Sequence, residues 1–154
     1  MKNSDQYSHR NALEIIQSKD NIMSELNDIV NISDIKFGTH SPNNIKTIIS
    51  DRFNEKGWAD RVKVGRSNLT ISFLKSKIGV CFQIGNVART YADILKLMQL
   101  HHKGVIDAGV IFVPHALESK KMGANYAQYE RLSKEIVHFK EIITMPVLVI
   151  GISN

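Results

Sequence analysis

Residues Thr70–Asn86 read TISFLKSKIGVCFQIGN, and this stretch decides the fold. Two alternating segments flank a tight Lys75-Ser76-Lys77 connection, the pattern of two antiparallel strands. Side chains alternate across a strand, so Ile71 and Phe73, then Ile78, Val80, Phe82 and Ile84, are expected on one side. Thr70 and Ser72, then Gly79, Cys81 and Gln83, are expected on the other. That second set makes a small, polar, open face. It offers hydroxyl, thiol and carboxamide groups but no acid.

Outward from this pair the chain alternates between element types. Val87–Leu100 reads as a helix, with Val87, Tyr91, Ile94, Leu95 and Met98 on one side. Ala108–Val113 is a short apolar strand ended by Pro114, Asn125–His138 a further helix, and Val147–Ile152 a buried closing strand. On the N-terminal side, Ala12–Gln17 and Asn21–Val30 carry apolar residues at helical spacing. Ser41-Pro42 opens another helix, since serine caps free N–H groups and proline suits the first helical position. It directs Ile45, Ile48, Ile49 and Phe53 inward and stops near Gly57. The expectation is one α/β domain over 1–154: residues 1–60 mainly helical, residues 61–154 a mixed sheet flanked by helices.

The central stretch resembles the BglII/BstYI-type restriction endonucleases, a branch of the PD-(D/E)xK nuclease superfamily. Members look like an Asp, eight residues, then Glu-x-Gln, followed by a glycine and a helix with an aromatic-x-Asp segment. On this sequence the Asp position is Ser72, the Glu position is Cys81, and the Gln is kept as Gln83. Tyr7-Ser8-His9-x-Asn11-x-x-Glu14 is similar to the family's opening helix signature, and Phe53-x-x-Lys56-Gly57-Trp58 to a further segment. His102 through Pro114 and the closing Pro146–Ile152 strand also fit, so the resemblance covers nearly the whole chain. It implies a PD-(D/E)xK core, a homodimer and double-stranded DNA as partner.

Phosphodiester hydrolysis in such a site needs divalent ions to polarise phosphate and generate hydroxide. Mg²⁺ demands hard oxygen ligands, normally carboxylates. Ser72 offers a neutral hydroxyl, Cys81 a soft sulfur and Gln83 no charge, so no intact catalytic set, no metal and no cofactor are expected. The resemblance leaves Asn11, Glu14 and Asp93 as residues that could enter the cleft, restoring a Mg²⁺-dependent type II site-specific deoxyribonuclease. Against that, Glu14 reads as an exposed helix acid and Asp93 as a surface charge paired with Lys96 or Arg89 across one turn. Cys81 reads as a buried, inert strand thiol, and His101-His102 as a helix ending.

Three residues are read as DNA contacts. By the resemblance Asn86 faces the major groove, where an amide reads adenine; its local reading is a helix N-cap. Lys120 and Lys121 fall where relatives carry a DNA-contacting loop and suit phosphates rather than bases. Residues 1–60 hold 7 basic and 9 acidic side chains, and residues 61–154 hold 13 and 6, so the second half suits a polyanion. No apolar run is long enough to cross a bilayer, MKNSDQYSHR carries no secretory signal, and a single cysteine fits a reducing cytoplasm. The expectation is a catalytically silent homologue that keeps DNA binding, or dimerises with itself or with an active nuclease relative. The remaining alternative is a protein-interaction module without DNA binding.

Overall fold

The computed structural model describes residues 1–154. In chain order the elements are β1 (Lys2–His9), α1 (Ala12–Gln17), α2 (Ile22–Val30), α3 (Pro42–Glu55), β2 (Ala59–Lys63), β3 (Thr70–Lys75) and β4 (Ile78–Phe82). Then follow α4 (Val87–His102), β5 (Ala108–Pro114), α5 (Ala116–Met122), α6 (Tyr129–His138) and β6 (Val147–Ser153). The strands form one mixed sheet in the order β1-β6-β5-β4-β3-β2. β4, β5 and β6 run parallel at its centre, and the outer strands join antiparallel. Parallel strands need helices on both faces, which explains why β4 and β5 are buried at every position.

Local chemistry accounts for most boundaries. Ser41 Oγ accepts the Asn44 N–H at 3.2 Å and Pro42 opens α3. Gly57, at φ +77°, closes it. The β3–β4 turn has positive φ at both Ser76 (48°) and Lys77 (62°), the backbone hand that suits a two-residue hairpin.

Each sheet face carries its own core. On one face α1, α2 and α3 pack over Phe73, Val80, Val110, Phe112, Leu148 and Ile150. Phe53 of α3 stacks on Phe73 with ring centroids 3.9 Å apart. Trp58 meets Phe53 edge-on and donates its indole N–H to Glu25 at 2.9 Å. On the other face α4 and α6 cover Ile71, Cys81, Ile111, Val113, Val147 and Val149. Gly79 and Gly109 stand side by side in the β4–β5 register, and the Leu97 side chain of α4 seats against both. Their missing side chains set how deeply α4 lies on the sheet.

Three expectations need correction. The opening signature is not helical throughout: its Tyr7–His9 part lies in strand β1 (Lys2–His9), paired with β6. An N-terminal strand, an extra edge strand β2 and a short helix α5 join the elements read from the sequence. The face assignment also changes. Ile71 belongs to the α4 core with Cys81, while Phe73 belongs to the α3 core. The cause is that β3–β4 pairing stops at Phe73↔Val80. Beyond it the Ser72 hydroxyl, not a strand carbonyl, accepts the Phe82 N–H at 3.1 Å. Nor is the second face open, because α4 buries Gly79 and Cys81.

Candidate functional site: a charged cleft where the hairpin splays

Where β3 leaves β4, a cleft of about 520 Å³ opens at the C-terminal end of β4, between α3, β2, β3 and α4. Ser72, Phe82 and Gln83 lie along its floor. Asp60 and Arg61 come from β2, Lys46 from α3, and Arg89, Asp93 and Lys96 from α4. The three α4 residues enter together because positions three and four apart share a helix face.

The inner part of the cleft is a chain of hydrogen bonds. Gln83 is 6% exposed; its Nε2 donates to Asp93 Oδ2 at 2.6 Å and its Oε1 accepts the Gly85 N–H at 3.1 Å. Asp93 is 7% exposed, and its other oxygen accepts from Lys96 Nζ at 2.8 Å. Both carboxylate oxygens therefore already hold a donor, one of them a cation. Asp60, at the rim, lies 3.5 Å from the Arg61 guanidinium. Nowhere in the chain do three His, Cys, Asp or Glu side chains converge as a metal site would require.

Cys81 lies beneath this floor and not in it, at 1% exposure. Burial pushes its thiol far above the ordinary range, the Asp93 charge adds to this, and Lys96 only partly opposes it. It stays protonated at neutral pH and is no nucleophile. Asn11 and Glu14, which the resemblance offered as residues that could enter the cleft, lie elsewhere. Both follow the end of β1, which pairs His9 with Val147 at the start of β6, so they sit at the opposite end of the sheet. Neither lines the cleft, and Glu14 is exposed. Asp93 does line it, and it is buried where a surface acid was expected.

Asn86 is the N-cap of α4, its Oδ1 accepting the Ala88 N–H at 2.8 Å. Lys120 and Lys121 lie on α5 instead of a loop, both exposed, with Lys121 paired to Glu118 at 2.6 Å. α4 and α5 start from the C-terminal ends of the parallel strands β4 and β5, so these three residues share the cleft's end of the sheet.

Sequence reasoning missed Lys46, Asp60, Arg61, Arg89 and Lys96 as cleft residues, and it missed a latch around His115. His115 Nδ1 pairs with Glu130 at 2.9 Å, its Nε2 lies 3.2 Å from Asp5, and its ring lies over Gly151. Burial pushes the Glu130 carboxyl upward. Hydrogen bonds from His115 and the Ala116 N–H outweigh this and hold it below its usual range. Gly151 was the available signal, since glycine inside a buried strand marks a close approach of another group.

A family model described as restriction endonuclease BglII/BglIII matches residues 4–152. No curated protein matches the chain. Two solved structures share its fold: restriction endonuclease BglII complexed with a DNA 16-mer (TM-score 0.77) and free BglII (TM-score 0.74). Each is 14% identical over 97% of this chain, covering 76% and 79% of the respective BglII chains.

Proposed function

The chain belongs to the restriction endonuclease BglII/BglIII family, and from that premise we propose that it is a catalytically silent member that binds double-stranded DNA. The observation that carries the silence is the state of the acids. A hydrolytic site of this type uses Mg²⁺, which wants several hard, anionic oxygens in near-octahedral array. This cleft has Ser72 bonded to the Phe82 N–H and a carboxamide at Gln83. Its one buried carboxylate, Asp93, has both oxygens engaged, one by the Gln83 amide and the other by the Lys96 ammonium. The thiol of Cys81 lies below the floor and is soft and protonated. These residues do not fit the ion, so no hydrolytic step follows from them.

DNA binding is supported by the basic balance after residue 60 and by four cleft cations at one end of the sheet. A relative of the same fold has been crystallised on DNA. Purified protein incubated with plasmid and genomic DNA in Mg²⁺ or Mn²⁺ is expected to leave both uncut. Discrete fragments that vanish on Asp93→Ala would overturn the silence in favour of a rearranged metal site. Fluorescence anisotropy against duplex DNA should show affinity falling linearly in log–log form as salt rises, by counterion release.

A specific feature supports dimerisation as a second role. Between α4 and α6 runs an apolar groove of about 250 Å³, lined by Ile94, Leu95, Met98, Leu132, Phe139 and Ile142. Leu95 and Ile142 are 65% and 66% exposed, so the groove and its rim present a contiguous apolar patch. A second copy, or an active nuclease relative, would cover it. Sedimentation equilibrium should show self-association that Leu95→Lys weakens. No helix is long and apolar enough to cross a membrane.

A further inference from the structure

The geometry points to the cleft as a metal-free phosphate receptor, in which the tethered ammonium of Lys96 supplies positive charge of the kind that divalent cations bring to a hydrolytic site. The inference rests on the DNA-binding reading and concerns how that binding is achieved. A hydrolytic cleft stripped of its ions is negatively charged, because it is built to attract them. Here the charged lining residues are Lys46, Arg61, Arg89 and Lys96 against Asp60 and Asp93, an excess of two positive charges with no ion bound. Such a cleft draws an anion and repels a dication.

Lys96 has the geometry for the part. Its ammonium is held 2.8 Å from Asp93, with side-chain exposure of only 19%, so its position is fixed by a buried partner. An ammonium has three N–H donors, and Asp93 takes one. The other two remain to meet phosphate oxygens. Gln83 completes the support by fixing the far oxygen of Asp93 at 2.6 Å. Lys46 and Arg89 line the same cleft with no ion-pair partner, so their charges are uncommitted. The bound group is a backbone phosphodiester, contacted without reference to base sequence.

The test is anisotropy titration of a labelled duplex against the full chain at fixed ionic strength, in EDTA and in millimolar Ca²⁺ or Mg²⁺. Affinity is expected not to rise when either divalent cation replaces EDTA. Lys96→Met should weaken binding roughly tenfold and Arg89→Ala severalfold, as loss of charge-assisted phosphate contacts does. Asp93→Asn should strengthen binding, because it removes one of the cleft's two negative charges while its amide oxygen can still accept from Lys96; a metal site would respond in the opposite direction. If Lys96→Met unfolds by circular dichroism, the double variant Asp93→Asn with Lys96→Met removes both charges and keeps a partner for Gln83. It is then the variant expected to bind weakly. Affinity that rises in divalent cation, or that survives these cleft changes but falls on replacing Lys120 and Lys121, would overturn the inference and leave DNA binding intact. Failure of the unaltered protein to bind duplex even at low salt would instead remove the DNA-binding reading itself.

Discussion

The seating of α4 on two glycines makes a quantitative test possible. A methyl group at Gly79 would lie 3.0 Å from Leu97 Cδ2 and 3.1 Å from both Ile106 Cδ1 and Ile71 Cδ1. One at Gly109 would lie 2.7 Å from Met145 Cε and 3.0 Å from Leu97 Cδ1. Ordinary carbon–carbon contacts fall at about 3.5–4.0 Å, so each neighbour must withdraw by roughly half an ångström or more. Neither glycine has positive φ, so alanine brings no backbone strain. By restricting the unfolded chain it returns about 0.4–1 kcal/mol. Overpacking a filled core costs about 1–3 kcal/mol, which leaves a net loss of roughly 1–2 kcal/mol for each single substitution. Both methyls press on Leu97, so the double variant should cost less than the sum by at least about 0.5 kcal/mol. Once α4 has risen for the first methyl, the second finds room. Urea unfolding followed by the fluorescence of Trp58, the only tryptophan, measures all four proteins. Single variants as stable as the parent, or losses that add to within about 0.3 kcal/mol, would refute the account.

Three further outcomes follow from side chains already placed. Hydrogen bonding from Lys19, opposed by partial burial and reinforced by Lys77, holds the Asp107 carboxyl below its usual range. Its contribution is therefore present above the unfolded carboxyl value near pH 4 and lost as pH falls through the lowered folded value. Lys19→Met should cost about 0.5 kcal/mol at pH 7 and nearly nothing at pH 2, and a pH-independent difference in urea midpoints would exclude the pairing. Glu25 accepts the Trp58 indole N–H and, through both oxygens at 2.8 Å, the Lys75 ammonium. Glu25→Leu should lose about 2–4 kcal/mol by stranding those donors and red-shift Trp58 emission, whereas unchanged emission would mean that the indole stays buried without this acid. Cys81 should react with a thiol reagent only as fast as the chain opens, so a labelling rate in buffer close to that in 6 M urea would contradict its burial and raised thiol value.

Much of this architecture was legible because the relevant signals are local. Ser41-Pro42 and Asn86 do cap α3 and α4, and the apolar runs at Ala108–Val113 and Val147–Ile152 do form the central parallel strands. β1 was hidden because an edge strand buries little: Lys2–His9 is polar almost throughout, and only His9 is fully buried. α5 was hidden because seven residues with two lysines show no apolar stripe. In the cleft, the hairpin pattern put Gln83 on its polar side, and the family resemblance pointed to Gln83 and to Asp93 on the following helix. Lys46 and Arg61 arrive from α3 and β2, separated in sequence and joined only by tertiary packing. The face was misassigned at Ile71 because this part of β3 stays paired with β2 but has left β4, so its side chain no longer follows the β4 faces. Nothing in the residue string reports that Thr70–Ser72 part from β4 while Phe73–Lys75 stay paired with it.

The open sheet has a consequence for behaviour in concentrated solution. Its two outermost strands, β1 and β2, each present one row of backbone N–H and C=O groups, the template on which another chain's strand could grow. Both rows are interrupted. β1 carries Lys2 and Asp5 around a register shift between Asn3 and Asp5. β2 places Asp60, Arg61 and Lys63 within five residues and bends at Arg61, whose φ is +46°. An incoming strand would have to bury those charges and follow a kinked ladder, so edge-to-edge polymerisation into fibrils is disfavoured at both ends. Whatever self-association occurs is left to the helical surface.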